Sequence, residues 1–152
     1  MLTTTLLLLS GHLAPLPPLE SPAVGSKVEW TSQIDKALEL AREQGTLRGS
    51  LDAAVILYAE PVLAERLRSL GEELRFVLIT SEASVEDWEQ APNDAMEAEG
   101  VPLKVVAVAS TSEKCERCWH RRDDVGAHAA HPTLCGRCVT NIDGQGEVRQ
   151  FA

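Results

Sequence analysis

KCERCWHRRDDV at Lys114–Val125 and HPTLCGRC at His131–Cys138 contain all four cysteines of the chain, arranged as two Cys-x2-Cys pairs. Zinc takes four ligands at the corners of a tetrahedron, and each pair supplies two sulfurs from one tight turn. The pattern therefore reads as one zinc ion held by Cys115, Cys118, Cys135 and Cys138. Residues 119–134 are long enough to form a short hairpin or loop that returns the second pair to the metal. A disulfide scaffold would spread its cysteines to tie distant segments together. A thioredoxin-like pair belongs at a strand-to-helix junction, whereas here the two pairs have each other as partners. The spacing alone leaves an iron–sulfur cluster open, but nothing else in the chain suggests electron transfer. Four thiolates close the coordination shell, which makes the metal structural and not catalytic. The last forty residues have few large apolar side chains, so they depend on this staple to fold.

The groups around the knuckles admit two readings each. His120, His128 and His131 are surplus to four thiolates and read as surface groups or supports of the ligands. Trp119 either covers one face of the metal site or stands out as a platform for a base. Lys114, Arg117, Arg121, Arg122 and Arg137 form local basic spots suited to phosphate contacts. The alternative for Arg121 and Arg122 is surface pairing with Asp123 and Asp124. Lys and Arg number 14 against 23 Asp and Glu, a formal charge of -9 that counts against a general, charge-driven nucleic-acid binder. Residues 1–112 carry 8 basic and 17 acidic groups, while residues 113–152 carry 6 of each. The cysteine segment escapes the acidity of the body but is still a mixed surface, so any nucleic-acid contact is local and shape-dependent.

Upstream, the periodicities predict a small mixed α/β body over residues 27–112, joined to a four-cysteine zinc-knuckle domain over residues 113–152. Ser32 and Asp35 read as a capping box, Ile34, Ala37, Leu38 and Ala41 as the apolar stripe of a three-turn helix, and Gly45 as its end. The apolar run Ala53–Tyr58 predicts a strand covered on both faces. Pro61 opens a second helix with Leu63, Leu67 and Leu70 along one face and Gly71 as its stop. Leu74–Thr80 and Leu103–Ala109 predict two further strands. Between Glu82 and Glu99 lie seven acidic residues and no basic one, which reads as a solvated loop. Residues 1–26, with Pro15, Pro17, Pro18 and Pro22, read as linker. The leucine run Leu6–Leu9 is too short to span a membrane and lacks the basic flank of a signal peptide, so the expected location is the cytoplasm. No nucleophile, base and orienting group assemble into a catalytic set, and no Gly-rich phosphate loop is present. Asp35, Asp52 and Glu60 are explained by capping or solvation. No small-molecule substrate is expected.

KCERCWHRRDDV, HPTLCGRC and the tail GQGEVRQFA at Gly144–Ala152 resemble the carboxy-terminal zinc domain of bacterial isoleucyl-tRNA synthetases. IDKALELARE at Ile34–Glu43, GSLDAAVILYA at Gly49–Ala59 and LRFVLITS at Leu74–Ser81 resemble the small α/β region that precedes it in that family. The resemblance covers about residues 27–152. It implies that the four cysteines match the family's metal ligands one for one, and that Trp119, Arg137 and Arg149 match positions of its recurring pattern. The function it implies is a non-catalytic accessory module that engages isoleucine tRNA and supports aminoacylation, with a synthetase or another translation protein as partner. The HIGH and KMSKS signatures and the editing domain of a full synthetase do not occur in these residues, so the expectation is a carboxy-terminal fragment or a free-standing module. The knuckles are similar to those of formamidopyrimidine-type DNA glycosylases too, but such an enzyme would carry Pro where Leu2 stands. A second functional class remains, a zinc-stabilised module for protein interaction or general RNA binding with no part in aminoacylation.

Overall fold

The structure is a computed structural model, which describes residues 27–151. The Pro-rich segment and the leucine run lie outside the described residues. Helix α1 (Lys27–Glu43) buries Trp30, Ile34, Ala37, Leu38 and Ala41 along one stripe, the spacing that a helix lying on a sheet requires. It runs for nearly five turns, not three, because Ser32 is not its cap. The Ser32 hydroxyl lies inside the helix and donates back to the Glu29 carbonyl at 2.9 Å. Gly45, with φ of +75°, closes the helix as expected.

A 3-10 turn at Ser50–Asp52 leads into β1 (Ala53–Ala59). Ala53, Val55, Leu57 and Ala59 are buried, while the alternate residues Ala54, Ile56 and Tyr58 are half-buried. The sheet is thus sealed on one face only, where α1 and α2 share its core, and the expectation of two covered faces is corrected. Helix α2 (Pro61–Ser69) starts with Pro61 at its first position, buries Leu63, Ala64 and Leu67, and is followed by Gly71 at φ +53°.

The predicted strand at Leu74–Thr80 is helical instead. A 3-10 turn at Gly71–Glu73 continues into α3 (Leu74–Val77), and Leu74 and Leu78 are buried four residues apart, a helical spacing. The strand lies further on, within the acidic stretch that reads as a loop. β2 (Glu82–Asp87) pairs in parallel with β1, from Ala54 opposite Glu82 to Ala59 opposite Asp87. It is an edge strand whose exposed Ser84, Glu86 and Asp87 face water, and such charge guards an open edge against unwanted pairing. β3 (Met96–Glu97) pairs with β4 (Leu103–Ala109), which runs antiparallel to β1. The order is β2-β1-β4-β3, with α2 crossing between the parallel strands β1 and β2. Beyond β4 the chain forms a two-stranded ribbon, β5 (Glu113–Lys114) and β6 (Arg121–Arg122), and then α4 (Gly136–Asp143).

Candidate metal centre

The first knuckle is the loop that joins β5 to β6. Glu113 pairs with Arg122 and Lys114 with Arg121, so the ribbon flanks this knuckle and does not lie between the two, as the sequence suggests. Inside the loop the Cys115 amide donates to the His120 carbonyl at 2.9 Å and the Trp119 amide to the Cys115 carbonyl at 2.9 Å. Trp119 takes a left-handed backbone, φ +67°, to close the turn. The second knuckle is the start of α4, where Cys135 stands at the N-cap and Cys138 in the first turn. The Gly136 amide there donates to Asp124 Oδ2 at 2.9 Å, and a Cβ on Gly136 would lie 2.7 Å from that oxygen. Only glycine lets the carboxylate come this close.

The four Sγ atoms lie within 4.8 Å of one another, with Cys115, Cys135 and Cys138 buried and Cys118 half-buried. Cys118 Sγ and Cys135 Sγ are 3.7 Å apart. Zinc–sulfur bonds of ~2.3 Å at tetrahedral angles place sulfurs ~3.8 Å apart, so the arrangement fits a zinc site of four cysteines. The thiol chemistry agrees. Burial pushes the Cys115 thiol up, but the amides of Cys118, Cys135 and Arg117 outweigh it and bring the group down to about 6. Burial drives Cys135 up to about 12 and raises Cys138 as well. Several buried thiolates side by side need a cation to ionise together, and zinc supplies it. The Cys135 amide reaches Cys115 Sγ at 3.4 Å and Arg117 Nη1 reaches Cys138 Sγ at 3.7 Å, donors that orient the ligands and offset the surplus negative charge.

The arginines differ from their expected partners. Arg121 Nε is 2.8 Å from Asp52 Oδ1, its Nη1 donates to the Ser112 carbonyl, and its amide donates to Ser81 Oγ at 2.6 Å. Arg122 lies 3.7 Å from Glu72. Both thus reach across to the α/β layer, and the alternative of pairing with Asp123 and Asp124 is corrected, as is the assignment of Asp52 to capping or solvation. Arg137 and Arg149 share Glu147 Oε1, at 3.1 and 2.8 Å. Despite its burial Arg137 is held above its ordinary range, foremost by Cys118 and Glu147. His131 binds Asp143 at 2.7 Å, and His120 packs edge-on against Phe76, so neither is a ligand. His128 is also outside the sulfur cluster. Trp119 is 60% exposed, with the Lys114 ammonium 5.2 Å from its ring centre, so it adds nothing to the core. Lys114 and Arg117 are exposed beside it.

One residue that sequence reasoning passes over organises the junction. The Phe76 ring has the guanidinium carbons of Arg149, Arg75 and Arg137 at 4.0, 4.1 and 5.1 Å from its centre. Glu73 accepts from the amides of Gln150, at 2.6 Å, and Phe151, which fastens the tail to α3's approach. A lone Phe in an apolar run carries no local signal for this.

These features define a four-cysteine zinc finger docked on a small α/β layer, and residues 112–141 match the family model described as "Zinc finger found in FPG and IleRS". The cysteine segment is a structural zinc finger of this kind, binding one zinc ion. The wider chain is similar to the carboxy-terminal part of isoleucine–tRNA ligases. It is 54% identical over 121 residues to the isoleucine–tRNA ligase of Shewanella sp. (strain W3-18-1) and to that of Shewanella putrefaciens, and 55% identical to that of Shewanella pealeana. Each match covers 80% of this chain and 13% of the relative. The matched region is a small part of those ligases.

Proposed function

We propose that the chain is a non-catalytic, zinc-stabilised accessory module that binds tRNA, with isoleucine tRNA as its ligand, and supports aminoacylation by a synthetase in the cytoplasm. The observation that carries this reading is the 54% identity over 121 residues to isoleucine–tRNA ligases, which is too long to come from the finger alone. On this reading residues 27–112 form the supporting domain and residues 113–152 the recognition domain. Trp119, Lys114 and Arg117 are the direct contacts, because a solvated aromatic face beside two cations suits a base and its phosphates. Arg121, Arg122, Arg137 and Arg149 contribute through the donors that their carboxylate partners leave to solvent, and hold the surface in place. No described helix is long and apolar enough to cross a membrane. The metal carries no chemistry, since four thiolates leave no position for water.

The test is binding of the zinc-loaded chain to isoleucine tRNA and to an unrelated tRNA at two salt concentrations. Isoleucine tRNA should bind more tightly, and Trp119→Ala should weaken it about ten-fold, within the range of one lost base stack. Negligible, salt-insensitive binding to every RNA overturns the reading.

A further inference from the structure

Arg75 is a cation without a proper counter-charge. Its residue is 7% exposed, yet its Nε and Nη1 are buried with no hydrogen-bond partner. A buried guanidinium is stable only when its donors are met by a protein group, a water or an anion, and no protein group meets these two. The carboxylate that comes near is Glu72 Oε2, 3.4 Å from Arg75 Nε and 3.7 Å from Arg122 Nη2. Both distances exceed those of a charge-assisted hydrogen bond. Glu72 is itself 80% exposed at its side chain, so it is held loosely. One oxygen thus stands between two guanidinium groups without bonding well to either.

Arg75, Arg122 and Glu72 line a cavity of about 130 Å³ with Glu82 and Ala83, and a neighbouring cavity of about 230 Å³ extends it past Ser112 and Asp123. Glu82 also faces the cavity, but its Oε1 accepts from the hydroxyls of Ser110 and Ser112, at 3.2 Å for Ser112. These hydroxyls turn that oxygen toward the serines; Glu82 keeps its negative charge, as does Asp123 at the far side of the larger cavity. Arg137 approaches from the finger and adds to the positive field that acts on Arg75. Two converging guanidiniums with open donors match a tetrahedral oxyanion with several acceptor oxygens far better than one carboxylate oxygen.

We propose that the cleft between α3 and β6 is a phosphate site, in which Arg75 and Arg122 clamp the anion and Glu72 fills its place until displaced. The phosphate comes either from an RNA backbone or from free phosphate, and the site stands whichever is bound. Arg122 lines the cavity from β6, the strand paired with β5, which carries Lys114.

Inorganic phosphate is titrated into the zinc-loaded chain at fixed ionic strength, with the Arg75 and Arg122 Nε–H resonances as the readout. Saturable shifts at both are expected. Glu72→Gln, which removes the competing charge, should tighten binding about three-fold, whereas Arg122→Gln should weaken it about ten-fold. Glu116→Gln, an exposed carboxylate outside the cavity, gives the same charge change and should do nothing. A merely structural Glu72 would give no tightening, and if Arg122→Gln does not fold, the Glu72→Gln and Glu116→Gln pair decides. The second arm measures isoleucine tRNA with the same variants. Effects on tRNA in the same directions assign the anion to RNA, and effects on inorganic phosphate alone assign it to free phosphate. Absence of a Glu72→Gln effect in both arms overturns the site.

Discussion

His120 shows how a residue between two metal ligands is governed by its distant neighbours. Its ring lies 5.8 Å from that of Phe76 at an interplanar angle of 83°, and burial, with Arg75 and Arg137 close by, lowers its pKa from 6.5 to about 4. The folded form therefore binds fewer protons than the unfolded chain between these two values. The stability that neutral His120 contributes is complete above pH 6.5 and is lost as the pH falls toward 4. The measurable consequence is an imidazole resonance that stays constant from pH 8 down to about pH 5, given that shift. A midpoint near the ordinary histidine value would contradict it. The identity of His120 was plain in the sequence, but its surroundings were not. Arg75 and Phe76 come from a segment whose apolar run reads as a strand, and only their helical placement turns them toward the finger.

Among the elements, α4 and the tail after it depend on a sharp reversal. A Cβ on Gly144 would lie 2.7 Å from the Thr140 carbonyl oxygen, so the chain leaves the helix by a path that a larger residue would block. That path brings Glu147 to Arg137 and Arg149 onto Phe76. Replacing the ring should release the tail while leaving the metal in place. For Phe76→Leu, which keeps apolar volume but loses the π face, the expected loss is about 1–2 kcal/mol, from cation–π contacts of about 0.5–1 kcal/mol each that do not add fully. It would appear as faster amide exchange in residues 144–151 with unchanged zinc content. Equal exchange in both proteins would show that the tail is held without the ring, by Glu73, Arg137 and Asn141. At this scale α1, α2, β1 and β4 were legible, since each carries a long apolar period or a proline start. β2 was not, because an edge strand that faces water has the composition of a loop, and its pairing with β1 is decided by residues outside it.

At the level of the molecule, the finger has a small sulfur-centred core of its own, while the layer beneath it has a continuous apolar core from Trp30 to Val105. The two are joined by polar contacts of Arg121 with Asp52 and Ser81, Arg122 with Glu72 and the tail amides with Glu73, and by the Phe76 ring against His120, Arg137 and Arg149. Chelation of zinc should therefore remove amide protection from residues 113–151 and leave β1 and β4 protected, because metal binding supplies the folding energy of the first and apolar burial that of the second. Exchange measured before and after chelation tests this, and uniform loss of protection would show a single cooperative unit. The four cysteines and their spacing pointed, without any structure, to a closed four-thiolate metal site, because ligand type and local turn geometry suffice for that; the gathering of the four sulfurs and the zinc-finger match made it a zinc site. Tertiary structure alone decided what surrounds the site. Arg121 meets Asp52 across 69 positions of chain, and no local pattern encodes a contact that forms only when the sheet, α3 and the ribbon have already been brought together.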